Sequence, residues 1–168
     1  ALFTAGGYVP FGPSTQKDVS GSKNTFSLDP MIGVNTAFNS GFYDQLFMPE
    51  VAIAFNGSET EGYSKYTYLF LADFGYVINS QFIIRYGLGS VITHITGDGG
   101  TMTLNNGSST SEYYLPDQSA FSWNTTVNLG VQALLDKEFS FRFETFLFSP
   151  FNNESRKMSY ALSLLYYY

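Results

Sequence analysis

The stretch Phe121-Ser122-Trp123-Asn124-Thr125-Thr126-Val127-Asn128-Leu129-Gly130-Val131-Gln132-Ala133 decides the fold. Phe121, Trp123, Thr125, Val127, Leu129, Val131 and Ala133 fall on one parity, and Ser122, Asn124, Thr126, Asn128, Gly130 and Gln132 on the other. A helix would mix the two sets on every face, whereas a strand sends alternate side chains to opposite faces. Strands average about 5–6 residues, so this alternation is too long for an ordinary half-exposed strand. It fits a strand that crosses a membrane, apolar toward lipid and polar toward a lumen.

Working outward, the same alternation recurs in seven further segments. Residues 139–148 put Phe139, Phe141, Phe143, Thr145 and Leu147 outward, with Ser140, Arg142 and Glu144 inward. Residues 82–95 send Phe82, Ile84, Tyr86 and Leu88 out, and Arg85, Gly87 and Gly89 in. Residues 65–76 place Tyr66, Tyr68, Phe70, Ala72 and Phe74 out, with Lys65, Thr67 and Asp73 in. Residues 46–55 have Phe47, Val51, Ile53 and Phe55 out and Glu50 in. Residues 31–38 have Ile32, Val34 and Phe38 out, with Gly33 and Asn35 in. Residues 2–11 read as a strand of ambiguous parity, and residues 160–168 close the set. The expectation is all-β: an eight-stranded antiparallel up-and-down transmembrane barrel, one domain over residues 1–168.

Composition leads to the same place by exclusion. Of the 168 residues, 44% are hydrophobic and 18% aromatic, but only 13% are charged, about half the usual charged share. The aromatic content argues against disorder, and the absence of Cys against a disulfide scaffold. A net charge of −6 argues against nucleic acid, whose phosphates need a basic patch. A spanning helix needs about 20 largely apolar residues, yet the longest apolar runs here are five residues, as in Val51 to Phe55. In hydrocarbon every backbone polar group must be satisfied internally, which leaves only a closed barrel. The start at Ala1 reads as that of a processed mature chain.

Connection lengths alternate. Short ones fall at 39–44, 77–81 and 134–138; longer polar ones fall at 12–29, 56–62, 97–118 and 149–157. Outer-membrane barrels pair short periplasmic turns with long extracellular loops, which puts both chain ends on the short-turn side. The C-terminus carries the most specific pattern: Tyr160, Leu162, Leu164, Tyr166 and Tyr168 on alternate positions, ending in an aromatic.

That ending resembles the C-terminal assembly signature of bacterial outer-membrane barrels. In topology the whole chain resembles the small eight-stranded barrels of the OmpA transmembrane-domain and OmpX type, although no family-specific loop motif is matched. The resemblance implies integration in the outer membrane, contact with its lipid and lipopolysaccharide, and recognition by the barrel assembly machinery. It implies an envelope structural protein with at most a narrow gated pore. The periplasmic cell-wall-binding domain of OmpA itself is not found in these residues.

Charge placement adds detail. The strands hold Glu50, Asp73 and Glu144 against Lys65, Arg85 and Arg142, which balance. The long loops, with Asp29 counted among them, carry −4 and the short turns −2. Buried ions are tolerated when paired, so Glu50, Arg85, Arg142 and Glu144, with Asp73 on the same parity, are expected to form a lumenal ion-pair network. Two readings stand: interior filler, or a gate such as charged residues form in the OmpA-like barrels. Gly33, Gly75, Gly87, Gly89 and Gly130 at inward parity predict water pockets.

The remaining candidates are few. His94, at the long-loop end of its strand with Ser90 and Thr96 on the same side, is the one imidazole that could serve as a general base. The His-x-Ser pairing of lipid A deacylases reads His94-Ile95-Thr96 here, so no enzyme is expected. Neither a cofactor nor a metal site is expected; Asp98, Glu112 and Asp117 form an acidic loop set that could meet Ca²⁺ or a surface partner. Tyr66, Tyr68, Tyr160, Tyr166, Tyr168 and Trp123 read as interfacial girdle. Phe139, Phe141 and Phe143 either face lipid or form a seam for self-association into a ring, the aromatic surplus serving both readings.

Overall fold

Alternation on this scale closes on itself. The computed structural model describes residues 2–9, 28–55, 63–105, 110–114, 117, 119–152 and 156–167. Its strands are β1 (Leu2–Val9), β2 (Asp29–Asn35), β3 (Phe38–Asn39), β4 (Leu46–Phe55), β5 (Tyr63–Val77), β6 (Phe82–Gly97), β7 (Thr101–Asn105), β8 (Thr110–Tyr114), β9 (Ala120–Leu134), β10 (Phe139–Phe148) and β11 (Lys157–Tyr167). The hydrogen-bonded order runs β2-β1-β11-β10-β9-β6-β5-β4-β3, and β2 also pairs with β4. The sheet therefore closes. β3 continues the line of β2 against β4, so the wall has eight antiparallel staves, as the alternation predicts. Closure removes the sheet edges that hydrocarbon would leave unsatisfied.

The break between β2 and β3 has a local cause. Thr36 donates its N–H to the Pro49 carbonyl at 3.2 Å, but Pro49 has no N–H to return the bond. The parity that residues 2–11 left ambiguous is now fixed: Leu2, Thr4 and Tyr8 are buried in the lumen while Phe3 and Ala5 face out. Gly6 permits the tightest approach of the wall, since a Cβ there would lie 2.0 Å from the Leu162 carbonyl oxygen.

Side-chain oxygens shape the short turns. The Asn79 Oδ1 accepts from the Gln81 and Phe82 amides at 2.8 and 3.0 Å. The Asp136 Oδ1 does the same for Glu138 and Phe139 at 2.8 and 2.7 Å. Such Asx turns reverse the chain in few residues. Of the four long connections, that after β6 is not wholly irregular: β7 and β8 pair as a hairpin beyond the wall. The alternation in Thr101-Met102-Thr103-Leu104 is short and lies in a polar stretch, so it reads as loop until its partner strand is known.

Candidate functional site

Glu50 is the hub of the lumen. It sits at inward parity on β4, fully enclosed, and five donors from four other strands converge on it. Arg142 from β10 forks onto it, Nη1 reaching Oε2 and Nη2 lying 2.7 Å from Oε1. Arg85 from β6 donates Nη2 to Oε2 at 3.1 Å. Thr4 from β1 and Asn35 from β2 complete the shell at 3.2 and 3.4 Å. The same Arg85 Nη2 reaches Asp73 Oδ2 on β5 at 2.8 Å, and Asn128 on β9 donates to Asp73 Oδ1 at 3.1 Å. Charge-assisted bonds of this kind are the strong class, and the guanidinium fork fixes geometry as well as energy.

Glu144 differs. It faces Arg85 Nε at 3.7 Å and Arg142 Nε at 3.4 Å, but neither of its oxygens accepts a hydrogen bond. All five charged groups are buried. Three carboxylates against two guanidiniums leave one excess negative charge, and Glu144 is its most weakly held member.

The structure thus brings together Glu50, Asp73, Arg85, Arg142 and Glu144, five of the six charged strand residues placed inward by parity. It also adds a pair that the sequence reading missed. Lys65 Nζ lies 2.6 Å from Asp29 Oδ2, and both are buried. Asp29, assigned above to a long loop, opens β2 instead, so the buried charges among the described residues are four acids against three bases. Its signal was weak because it directly precedes Pro30 and follows a long polar run.

Beside three of the inward glycines, neighbouring side chains stand close. A Cβ on Gly87 would lie 2.5 Å from Asp73 Oδ1, one on Gly89 2.6 Å from Thr126 Oγ1, and one on Gly75 2.6 Å from Met48 Sδ. At these glycines the space that a Cβ would take is occupied by side chains of the adjacent staves.

On the outer face, Tyr66, Tyr68, Trp123, Phe141 and Phe143 are exposed, as are Tyr160, Leu162, Leu164 and Tyr166 of the C-terminal pattern; Tyr168 lies outside the described residues. Phe139 is half-buried. It packs on Tyr166 with ring centroids 5.2 Å apart, and Phe143 stacks on Tyr160 at 6.0 Å. Both ring pairs join neighbouring strands of one barrel, and Phe141 between them is left exposed. Trp123 is 71% exposed, its indole N–H bonded to Ser90 Oγ at 2.5 Å.

His94 meets a partner that spacing along one strand did not suggest: its Nε2 lies 2.8 Å from Ser119 Oγ, with Thr96 Oγ1 at 3.4 Å. Among the described residues those partners are hydroxyls, with no carboxylate to orient the ring as a catalytic dyad requires. No group of three His, Cys, Asp or Glu residues able to hold a metal occurs among the described residues. Asp117 is exposed, and the side chain of Glu112 falls outside them.

No protein-family model and no curated protein matches the chain. Solved structures do. Ail, the attachment invasion locus protein of Yersinia pestis, matches with a TM-score of 0.53 at 13% identity, over 98% of this chain and 95% of that one. Ail in complex with the heparin analogue sucrose octasulfate gives 0.55 at 12% identity, over 98% and 95%. Neisserial surface protein A gives 0.52 at 14% identity, over 98% and 92%. With the closed eight-stave wall and its outward apolar band, these likenesses give the chain the fold of the small eight-stranded outer-membrane β-barrels.

Proposed function

We propose that this chain is an integral outer-membrane barrel with an OmpA-like, envelope-structural role, its lumen closed to general solutes and crossed at most by a narrow gated path. The observation that carries the reading is the position of Arg142 between two carboxylates, forked onto Glu50 while its Nε faces Glu144 at 3.4 Å. An eight-stranded interior is just wide enough for side chains to fill, and here ionised side chains from β4, β5, β6 and β10 meet across it. A rotation of Arg142 from Glu50 toward Glu144 exchanges one ion pair for another and shifts charge within this part of the lumen.

The lipid-facing wall fits membrane lipid, with lipopolysaccharide and the assembly machinery as partners of its outer leaflet and its C-terminal strand. An enzymatic role is disfavoured by the hydrogen-bond partners of His94 among the described residues, which are hydroxyls. The polyanion bound by Ail in one of its structures is a poor match for this chain, whose net charge is −6.

Single-channel recording in planar bilayers, beside the mass in detergent, tests the reading. The expected result is a monomer with rare, small openings whose amplitude changes in Arg142→Ala, because any open path passes that side chain. A large, sustained conductance from the unaltered protein would overturn the closed lumen. A multimeric mass would transfer the function to a homo-oligomeric, porin-like assembly.

A further inference from the structure

We propose that the barrier to permeation is an apolar layer on the long-loop side of the ion-pair network, rather than the network itself. The proposal rests on the membrane-barrel reading above and names the part of the lumen that controls it.

The layer appears when inward side chains are ordered along seven of the eight staves; on the eighth, β9, polar Thr126 stands beyond Asn128. Moving from the short-turn end toward the long-loop end, Tyr8 stands beyond Thr4 on β1, and Met31 beyond Asn35 on β2. Ala54 stands beyond Glu50 on β4, Leu69 beyond Asp73 on β5, and Val91 beyond Arg85 on β6. Phe146 stands beyond Glu144 on β10, and Ala161 beyond Ser163 on β11. Neighbouring staves run in opposite directions, so a common order in space is not a by-product of chain direction. These apolar side chains form one contiguous cluster, each at most 2% exposed. Tyr8 and Phe146 meet edge to face with centroids 6.0 Å apart. Farther out still, the Lys65–Asp29 pair closes over the layer from β5 to β2.

The two layers act differently on a hydrated ion. The network offers carboxylates, guanidiniums and amides that can replace lost water ligands. The apolar layer offers few, among them the Tyr8, Thr126 and Ser159 hydroxyls, and hydrophobic constrictions of this kind gate by excluding water. Rearranging Arg142 between Glu50 and Glu144 moves charge only on the short-turn side of the layer, so on its own it leaves the aromatic and aliphatic barrier in place. The layer also keeps water from the network, which strengthens each ion pair beneath it.

The test compares the unaltered protein, Leu69→Asn/Phe146→Ala and Arg142→Ala in planar bilayers, with heat-modifiable electrophoretic mobility showing that each barrel has closed. The layer variant is expected to raise opening frequency on the order of tenfold and Arg142→Ala under about twofold, as a dewetted constriction in series with a polar one requires. The chain contains no Cys, which allows a second readout. In Ser163→Cys, a charged, membrane-impermeant thiol reagent added from the long-loop side is expected to react only when the layer variant is also present. The proposal is overturned if the layer variant closes, inserts and stays as silent as the unaltered protein, or if Arg142→Ala alone opens the lumen as much. A chain that shows neither a heat shift nor insertion would instead overturn the membrane-barrel reading beneath it.

Discussion

Arg142 and Glu50, 92 residues apart in the chain, are joined in the lumen by a two-pronged ion pair, with Nη2 2.7 Å from Oε1. Both are buried, so neither has water to fall back on. Breaking such a pair from one side leaves an uncompensated buried charge, a loss of about 3–5 kcal/mol. Glu50→Gln is expected to lower stability by that amount in urea unfolding from micelles or vesicles. A loss under about 1 kcal/mol, typical of exposed pairs, would mean that water reaches the lumen at this depth.

Glu144→Gln is expected to behave in the opposite way. Glu144 accepts no hydrogen bond and supplies the third carboxylate against two guanidiniums. Removing its charge neutralises the cluster without orphaning a donor that it had satisfied. The same unfolding assay should show a change within about 1 kcal/mol, since no charge-assisted hydrogen bond is lost. A loss equal to that of Glu50→Gln would show that Glu144 is an equal member of the network.

Lys65→Met tests the outer pair. It removes the partner that lies 2.6 Å from Asp29, but Lys65 is 8% exposed near the lumen mouth. Partial hydration there should hold the cost to about 2 kcal/mol, between the exposed and fully buried cases. The restoring variant is Asp29→Asn in the Lys65→Met background, which should recover most of the loss.

Gly87→Ala is a one-carbon change with a large expected effect. The added Cβ would meet the Ala72 carbonyl oxygen at 2.3 Å and Asp73 Oδ1 at 2.5 Å. Overpacking of this order costs about 1–3 kcal/mol, and here it also displaces the carboxylate that Arg85 holds at 2.8 Å. Gly41→Ala serves as the contrast in space, since nothing lies within 4 Å of a Cβ there, although its φ of +68° carries its own backbone strain.

Phe141→Cys reports on self-association. In the unaltered chain Phe141 is exposed on the outer wall, between a ladder of rings that pack within one barrel. In lipid nanodiscs that hold several copies, an oxidant is expected to leave the variant monomeric. Efficient disulfide-linked dimers would instead establish this wall as a seam between copies.

Much of this was legible before any coordinates. A period of two needs no partner to be recognised, so β4, β5, β6, β9 and β10 declare both faces from the chain alone, and with them the inward parity of Glu50, Asp73, Arg85, Arg142 and Glu144. The failures have physical causes of the same kind. Gly6 and Gly7 interrupt the alternation of β1, so its parity waits on the register with β2 and β11. Asp29 carries no local sign that a lysine 36 positions later will meet it. The pairing of His94 with Ser119 depends on β6 and β9 being neighbours across a long connection.

The sequence by itself determined that this is a barrel and, on every stave with unbroken alternation, which side chains enter it, because alternation is a property of one strand and lipid rewards only one of its two faces. Only the tertiary structure decided the order of those side chains along the lumen. Register and strand stagger set whether an inward Phe146 stands over Glu144 alone or joins Tyr8, Leu69 and Val91 in a continuous apolar layer. They also set whether a glycine opens a space or admits a neighbour. Such facts belong to pairs of strands, and no single strand carries them.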